Sequence, residues 1–512
     1  MIETKEQQVG LQTKSLMALL YAVVGLGVLL RLIVYLSNRS LWMDEACLAV
    51  NVISKSYKEL LGTLTDNQCA PIGFLFIERF FVNLLGSSEP ALRFFPFLCG
   101  IGSIFLSVRL SRKILSPAAA IIGAFLFAVS YYLVYYSSEV KQFGPDVFVA
   151  LGLICLACGI IQADKQKPVP YIVFGLCGVL AIFLSHPAVF VLFGLGVAGL
   201  LFCLRRKNKW LWAGWLILCA LWAAAFLVNF HFFLSKYHTA DFVIKHWQDR
   251  DGFFPVTDGI GAMVVWFVKK TGQVLKQPGG FSMPFVYLLP LAVGLWGLFR
   301  KKQWFVIASA AVVFSAVVAS AFERFPFGSR VIMFIAPLLL IFLAEGIAVL
   351  VSGAWHGSHL SAIALLICFF YFPIQKTAGL LAGLDEKEHI RPVLNYLEQK
   401  AADGDVVYVY RGTWVVFDYY QPRYTFPKKI QMVRGQRETD QQKYSNQLDS
   451  LMGNPRVWFL FTHVWEGPDI DDRLFIKFRL DGRGALLGKF QTESAWLYLY
   501  DLTGRTGRQD SN

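Results

Sequence analysis

Charge is what this sequence has least of: Asp, Glu, Lys and Arg make up 16% of its 512 residues, where soluble domains carry about 25%. With 56% hydrophobic residues and a mean hydropathy of +0.50, there is too little polar surface to cover a water-soluble core of this size. An ordinary soluble enzyme is excluded, and a bilayer becomes the solvent for most of the chain. Cysteine is sparse as well. Nine residues, mostly inside apolar runs, exclude a disulfide scaffold. Cys155 and Cys158 form a CxxC, but within a membrane span that spacing reads as core packing and not as a metal or redox site. Cys47 and Cys69 share one polar loop, where a disulfide is chemically allowed. No small-residue cleavage site follows the first apolar run, so that run reads as a retained anchor and not as a signal peptide. No clear repeat relates the two halves of the chain, which weighs against the inverted-repeat architecture of transporters.

What charge there is has a pattern. The net +13 sits in short clusters between apolar runs, which sets membrane topology and excludes a nucleic-acid partner. The first run, Leu16 to Leu36, follows Lys5 and Lys14, so the N-terminus is expected in the cytoplasm. Arg31 lies near its outer end, within snorkelling reach of the interface. Later runs fall near 91–109, 117–136, 146–163, 169–186, 188–204, 210–230, 283–299, 304–322, 330–351 and 360–375. Alternate loops are basic: Arg109, Arg112 and Lys113; Lys165 and Lys167; Arg205, Arg206, Lys207 and Lys209; Arg300, Lys301 and Lys302. One topology places all four clusters inside and the C-terminus outside. Ile72 to Leu85 is short for a span and carries Glu78 and Arg79 at its centre, so it reads as interfacial or re-entrant.

The tail is different in character. Glu388 to Lys400 has the pattern of an amphipathic helix, and Asp405–Arg411, Arg456–Val464 and Ala495–Leu502 read as strands. The expected fold class is a mainly α, polytopic membrane helical bundle of about eleven spans. Interfacial helices occupy its first extracytoplasmic loop, and a small C-terminal α/β soluble domain follows. Residues 1–375 form the transmembrane domain, with long outer loops at 37–90 and 231–282. Residues 376–512 form an extracytoplasmic domain.

The residues able to do chemistry concentrate at the outer surface. Asp44 and Glu45 follow Trp42 just beyond the first span, where an indole suits the membrane interface. Adjacent carboxylates point in different directions on a helix, so the two have different jobs; a helix start alone would also favour them. Further polar groups stand at the outer ends of later spans: Arg93 in SEPALR, Glu139, Lys141 and Asp146 in YSSEVKQFGPD, His186 in SHP, and Glu323 and Arg330 in ERFPFGSR. Ionisable groups at membrane depth are expensive and tend to face cavities. Together they describe a polar cavity holding acids and bases.

The order SLWMDEA, AP before an apolar helix, SEPALRFFP, YSSEVKQFGPD and FPFGSRVIMFIAPLLLIFLAEG resembles the C-type (GT-C) integral membrane glycosyltransferases. The likeness is to the bacterial branch related to protein O-mannosyltransferases and lipid A aminoarabinose transferase, and it covers roughly residues 16–350. It implies a polyprenyl-phosphate sugar donor, a lipid, glycan or protein acceptor, and inversion at the anomeric carbon. The family's loop-one acid matches Asp44, the base that would take the acceptor proton. Glu45 would stand behind it or at the acceptor. A lipid phosphate leaving group needs cations and not a general acid; Arg330, Lys141 and Arg93 are the candidates, Arg330 first because its fork matches a phosphate. The sequence departs from the family just before Pro71, where Cys69-Ala70 has neither acid, Lys nor His. A divalent metal is therefore not supported there, and no metal or other cofactor is assigned.

Two other classes stay open. A transporter or flippase would explain spans and buried charges, but not a water-soluble tail or acids gathered in one loop. An O-antigen ligase-like enzyme would use late-loop basic residues, and His231, His238 and His246 do lie in one such loop. The expected setting is a bacterial inner membrane with a periplasmic C-terminal domain.

Overall fold

A computed structural model of the protein describes residues 2–206, 209–237, 241–383, 387–436, 441–464 and 471–504. Lys207 and His238 lie outside the described residues. The chain divides into two compact units, Met1–Ser37 with Lys55–Leu384, and Asn38–Ser54 with Asp385–Asn512.

The larger unit is helical, and every apolar run of the sequence is largely helical. Among the described residues, eight helices are long and apolar enough to cross a membrane: Ser15–Leu36, Glu89–Ile114, Phe143–Ile161, Ala188–Arg206, Lys209–Lys236, Gln303–Ala321, Ser329–Gly357 and His359–Gly383. The protein is thus an integral membrane protein, but the expected count of about eleven spans is not reached. Three runs account for the difference. Pro168–Leu184 has 17 residues and Leu288–Lys301 has 14, short of the roughly 20 residues that a bilayer needs. The run near 117–136 is broken into Pro117–Ala128 and Tyr131–Ser138, bent by 56°. Counting the bent pair as one span gives nine.

A break inside an apolar layer frees backbone carbonyls that water cannot reach, so the protein must satisfy them. Arg31 does this. It is 1% exposed and does not snorkel, contrary to the sequence expectation. Its guanidinium donates to the carbonyls of Ala128 (3.3 Å), Phe127 (3.3 Å) and Gly27 (3.0 Å). Thr377 Oγ1 closes the bend from the other side, donating to Val129 O at 2.6 Å. Ile72–Leu85 is a 14-residue helix and does not qualify as a span, in keeping with the interfacial reading. Glu78 at its centre is fully buried, and burial raises its pKa well above the usual carboxylate range.

Close helix approach in lipid depends on small residues. Leu288–Lys301 crosses Ala336–Gly357 at Gly294 and Gly346. A Cβ on Gly346 would stand 1.8 Å from Pro290 O, and one on Gly294 would stand 1.8 Å from Phe342 O. Both obstacles are backbone, so no side chain can rotate away. Gly346→Leu is therefore expected to force these helices apart at a cost of several kcal/mol, above the usual ~1–3 kcal/mol of overpacking. The check is the monodisperse fraction of detergent-solubilised protein in size-exclusion chromatography, which should collapse; an unchanged profile would mean that this crossing is loose.

The smaller unit holds a five-stranded mixed sheet, order β2-β1-β3-β5-β4. The strands are β1 (Val406–Val409), β2 (Gln431–Arg434), β3 (Val457–Thr462), β4 (Ala485–Gln491) and β5 (Ala495–Asp501). β1 pairs parallel with β2 and β3, while β5 runs antiparallel to β3 and β4. β1 and β3 are buried at every position, as befits valine- and aromatic-rich strands covered on both faces. Asp405, just ahead of β1, is held by Arg456 Nε (2.7 Å), Trp458 Nε1 (2.7 Å) and Ala402 N (3.0 Å). Burial opposes its charge, but these donors outweigh burial and hold its carboxyl below the ordinary value.

The loop-one segment 38–54 belongs to this smaller unit by its bonding. Leu41 N donates to Tyr420 Oη at 2.8 Å and Met43 N to Glu388 Oε1 at 2.9 Å. Arg391 donates to Ser40 Oγ at 3.2 Å and to the carbonyl of Asn38. The helix Met43–Ser54 packs against Trp414–Tyr420.

Candidate active site

In the larger unit the stretch 139–146, which runs from the end of the bent pair into the first turn of the Phe143–Ile161 helix, carries or meets several site residues predicted from sequence. Lys141 is 5% exposed and its Nζ donates to Gln68 Oε1 at 2.6 Å. Gln142 Nε2 donates to the carbonyl of Cys69 at 3.4 Å. The Cys69 thiol in turn meets His186 Nε2 at 3.6 Å. Asp146, also buried, accepts from Ser185 Oγ at 2.6 Å. Arg330 enters from the turn ahead of Ala336–Gly357, with its guanidinium carbon 5.4 Å from the centre of the Phe143 ring. Buried Glu139 and half-buried Arg330 both lie within electrostatic range of the Tyr136 hydroxyl. Glu139, Lys141 and Asp146 therefore lie on one segment, which Arg330 meets at Phe143 and which Gln142 links to Cys69, the partner of His186. A pocket is lined by His186 together with Leu60, Ala70, Ile72, Leu75 and Phe233.

This arrangement gives the departure before Pro71 a physical meaning. Gln68 and Cys69 bring no charge of their own, yet a lysine and a histidine from two other segments reach them. Among the described residues, no three His, Cys, Asp or Glu side chains gather as metal ligands. Cys47 and Cys69 are both free thiols, the first buried in the Met43–Ser54 helix and the second beside His186.

In the larger unit, two further predicted residues complete the set. Arg93 is buried in the Glu89–Ile114 helix, within electrostatic range of the Tyr35 hydroxyl. Glu323 is exposed and accepts from Gln248 Nε2 at 2.8 Å. The late-loop histidines do not form a cluster among the described residues: His231 lies against Phe232, and His246 Nδ1 is 3.0 Å from Arg250.

Lys270 was not anticipated from sequence. It is 3% exposed on the amphipathic Gly259–Lys276 helix, donates to Gln273 Oε1 at 2.8 Å, and lies 5.5 Å from the Trp266 ring centre. Its ammonium would stand 3.3 Å from a Cβ on Gly328, two residues before Arg330. Burial lowers its pKa to about 8, with Asp251 pulling the other way. One lysine of the Lys269–Lys270 pair on an amphipathic helix gives no sequence signal for this placement.

In the smaller unit, Asp44 and Glu45 occupy the first turn of Met43–Ser54. Glu45 is 2% exposed and Asp44 is half-buried, so the two carboxylates do face different surroundings. Trp42, just ahead, carries the Lys387 ammonium 3.8 Å from its ring centre.

Comparison with known proteins fits this picture. Residues 70–232 match the family model of dolichyl-phosphate-mannose-protein mannosyltransferase. The solved structure of ArnT from Cupriavidus metallidurans in the apo state is similar at a TM-score of 0.53 and 13% identity, over 93% of this chain and 97% of that one. ArnT bound to undecaprenyl phosphate matches with the same identity and coverage at a TM-score of 0.50. The Archaeoglobus fulgidus oligosaccharyltransferase follows at 0.49, with 11% identity over 86% of this chain and 69% of that one. No curated protein sequence matches the chain. Residues 70–232 thus resemble that mannosyltransferase family, and the chain as a whole shares the fold of ArnT.

Proposed function

We propose that the protein transfers a sugar from a polyprenyl-phosphate donor to an acceptor on the extracytoplasmic face of the membrane, with inversion at the anomeric carbon. Asp44 accepts the proton of the acceptor hydroxyl or amine as that atom attacks the anomeric carbon. The bond from carbon to phosphate oxygen breaks, and its electron pair leaves on the lipid phosphate. Arg330 and Lys141 hold that phosphate, with Arg93 as the third cation and Glu45 supporting Asp44. Glu139, Asp146 and His186 shape the polar surroundings of the phosphate, and Glu323 lies further out.

The observation that carries this reading is that one stretch holds the buried Lys141 and, two residues on, Phe143, whose ring Arg330 meets from another segment. A departing phosphate is stabilised by preorganised cations and needs no acid. ArnT, whose fold this chain shares, binds undecaprenyl phosphate, which supports a polyprenyl-phosphate donor here. The test uses isolated membranes containing the protein and a panel of radiolabelled polyprenyl-phosphate sugars. Label passing from one donor to a new product is the expected result. If every donor stays intact, the transferase reading falls, and movement of the labelled lipid across the bilayer becomes the measurement to make.

A further inference from the structure

The smaller unit contains a second arrangement that the transfer chemistry above does not use. Glu388 is buried, with its side chain 1% exposed, in the stretch that leads into the Arg391–Lys400 helix. Its Oε1 accepts the N–H of Met43, the residue before Asp44, at 2.9 Å. The same oxygen lies 3.2 Å from Nδ1 of His463. Its other oxygen, also buried, has no hydrogen-bond partner among the described residues. Glu388 thus touches both the start of the helix that carries Asp44 and an imidazole from the end of β3.

His463 is held in an unusual way. It sits at φ +44°, left-handed backbone that a non-glycine residue adopts at a cost of order 1–3 kcal/mol. The surrounding chain fixes it there. Thr413 Oγ1 accepts from Thr462 N at 2.7 Å, and a Cβ on Gly412 would stand 2.4 Å from the His463 carbonyl. The ring remains 38% exposed, 6.4 Å from the Trp42 ring. In a neutral imidazole, a carboxylate at Nδ1 favours the tautomer with its proton on that nitrogen, which leaves Nε2 as the acceptor. A buried acid that orients an exposed imidazole is the second half of the arrangement that activates hydroxyl groups in many transferases and hydrolases.

Resting on the transferase reading, we propose that His463 binds the acceptor: its Nε2 accepts a hydrogen bond from a second hydroxyl or N–H of the acceptor, beside the attacking group that Asp44 deprotonates, and Glu388 is the residue that positions both His463 and Asp44. The acceptor is then recognised by the smaller unit through Trp42, Asp44 and His463, while donor recognition depends on the cations of the larger unit.

The experiment uses the full chain, the donor found active in the assay above, and detergent-solubilised membranes of cells lacking the protein as the acceptor pool. His463→Ala and Glu388→Gln should each raise the amount of acceptor pool needed for half-maximal rate by roughly tenfold, the worth of one hydrogen bond in a site. The donor concentration for half-maximal rate should stay within about twofold. His463→Gln, which can place an acceptor atom near the Nε2 position, should recover part of the loss. Tyr420→Phe controls for structure, since it removes the bond to Leu41 N without touching the pair. An unchanged acceptor requirement in His463→Ala overturns the proposal. So do equal effects on donor and acceptor, or a Tyr420→Phe effect as large as that of Glu388→Gln. If the wild type consumes no donor, the transferase reading fails first and this inference goes with it.

Discussion

Asp44→Asn should abolish measurable transfer, lowering the rate at saturating donor by roughly 10²–10⁴-fold, the range over which a positioned general base contributes. Asparagine keeps the size of the side chain and one hydrogen-bond oxygen but cannot take a proton. The fold should survive, because Asp44 is only half-buried and stands in a helix's first turn. Loss of its favourable interaction with the helix dipole costs at most about 1 kcal/mol at such a site. The measurement is the initial rate in membranes carrying equal amounts of wild type and variant, with size-exclusion profiles alongside. A large rate loss with an unchanged profile assigns Asp44 to the chemistry. Full activity in Asp44→Asn would remove the base assignment, and Glu45→Gln would be the next variant to assay. Because Glu45 is buried in the same turn, a loss there must be separated from instability before it is read as catalysis.

The sequence was informative wherever the physics is local. Hydropathy is a property of about twenty consecutive residues, so each apolar run, from the first at Leu16 to the last near 360–375, emerged as largely helical. Span counting failed where length and straightness decide. A 14-residue helix and a 17-residue helix have the composition of spans without the reach, and no glycine–proline pair announces the 56° bend near Val129. The polar groups at helix ends were legible for the same local reason: charge at membrane depth has to face something. Their partners were not. Gln68 beside Lys141 is uncharged and 73 residues away in sequence. The most consequential contact, Met43 N to Glu388, spans 345 residues, and no periodicity in either segment hints at it. The division of loop one, with 38–54 in one unit and 55 onward in the other, follows from such distant bonds and not from any shift in composition.

Arg330 carries the second large effect. Its guanidinium carbon lies 5.4 Å from the centre of the Phe143 ring, a cation–π contact that helps to hold the side chain in place. A departing phosphate gains two parallel hydrogen bonds from a guanidinium fork, and loses one of them when the group becomes a point charge. Arg330→Ala should therefore reduce the rate per unit donor by about 10²–10³-fold, as for removal of one preorganised donor from a transition state. Arg330→Lys should restore part of this, mainly in donor binding, and leave the maximal rate low. The acceptor requirement should not move in either variant. Kinetics with donor and acceptor varied separately decide the matter. If Arg330→Ala leaves donor use unchanged, the phosphate is held elsewhere, and Lys141→Met becomes the informative variant, since Lys141 reaches Gln68 from the same segment. If Arg330→Lys matches the wild type, charge alone suffices and the bidentate argument is wrong.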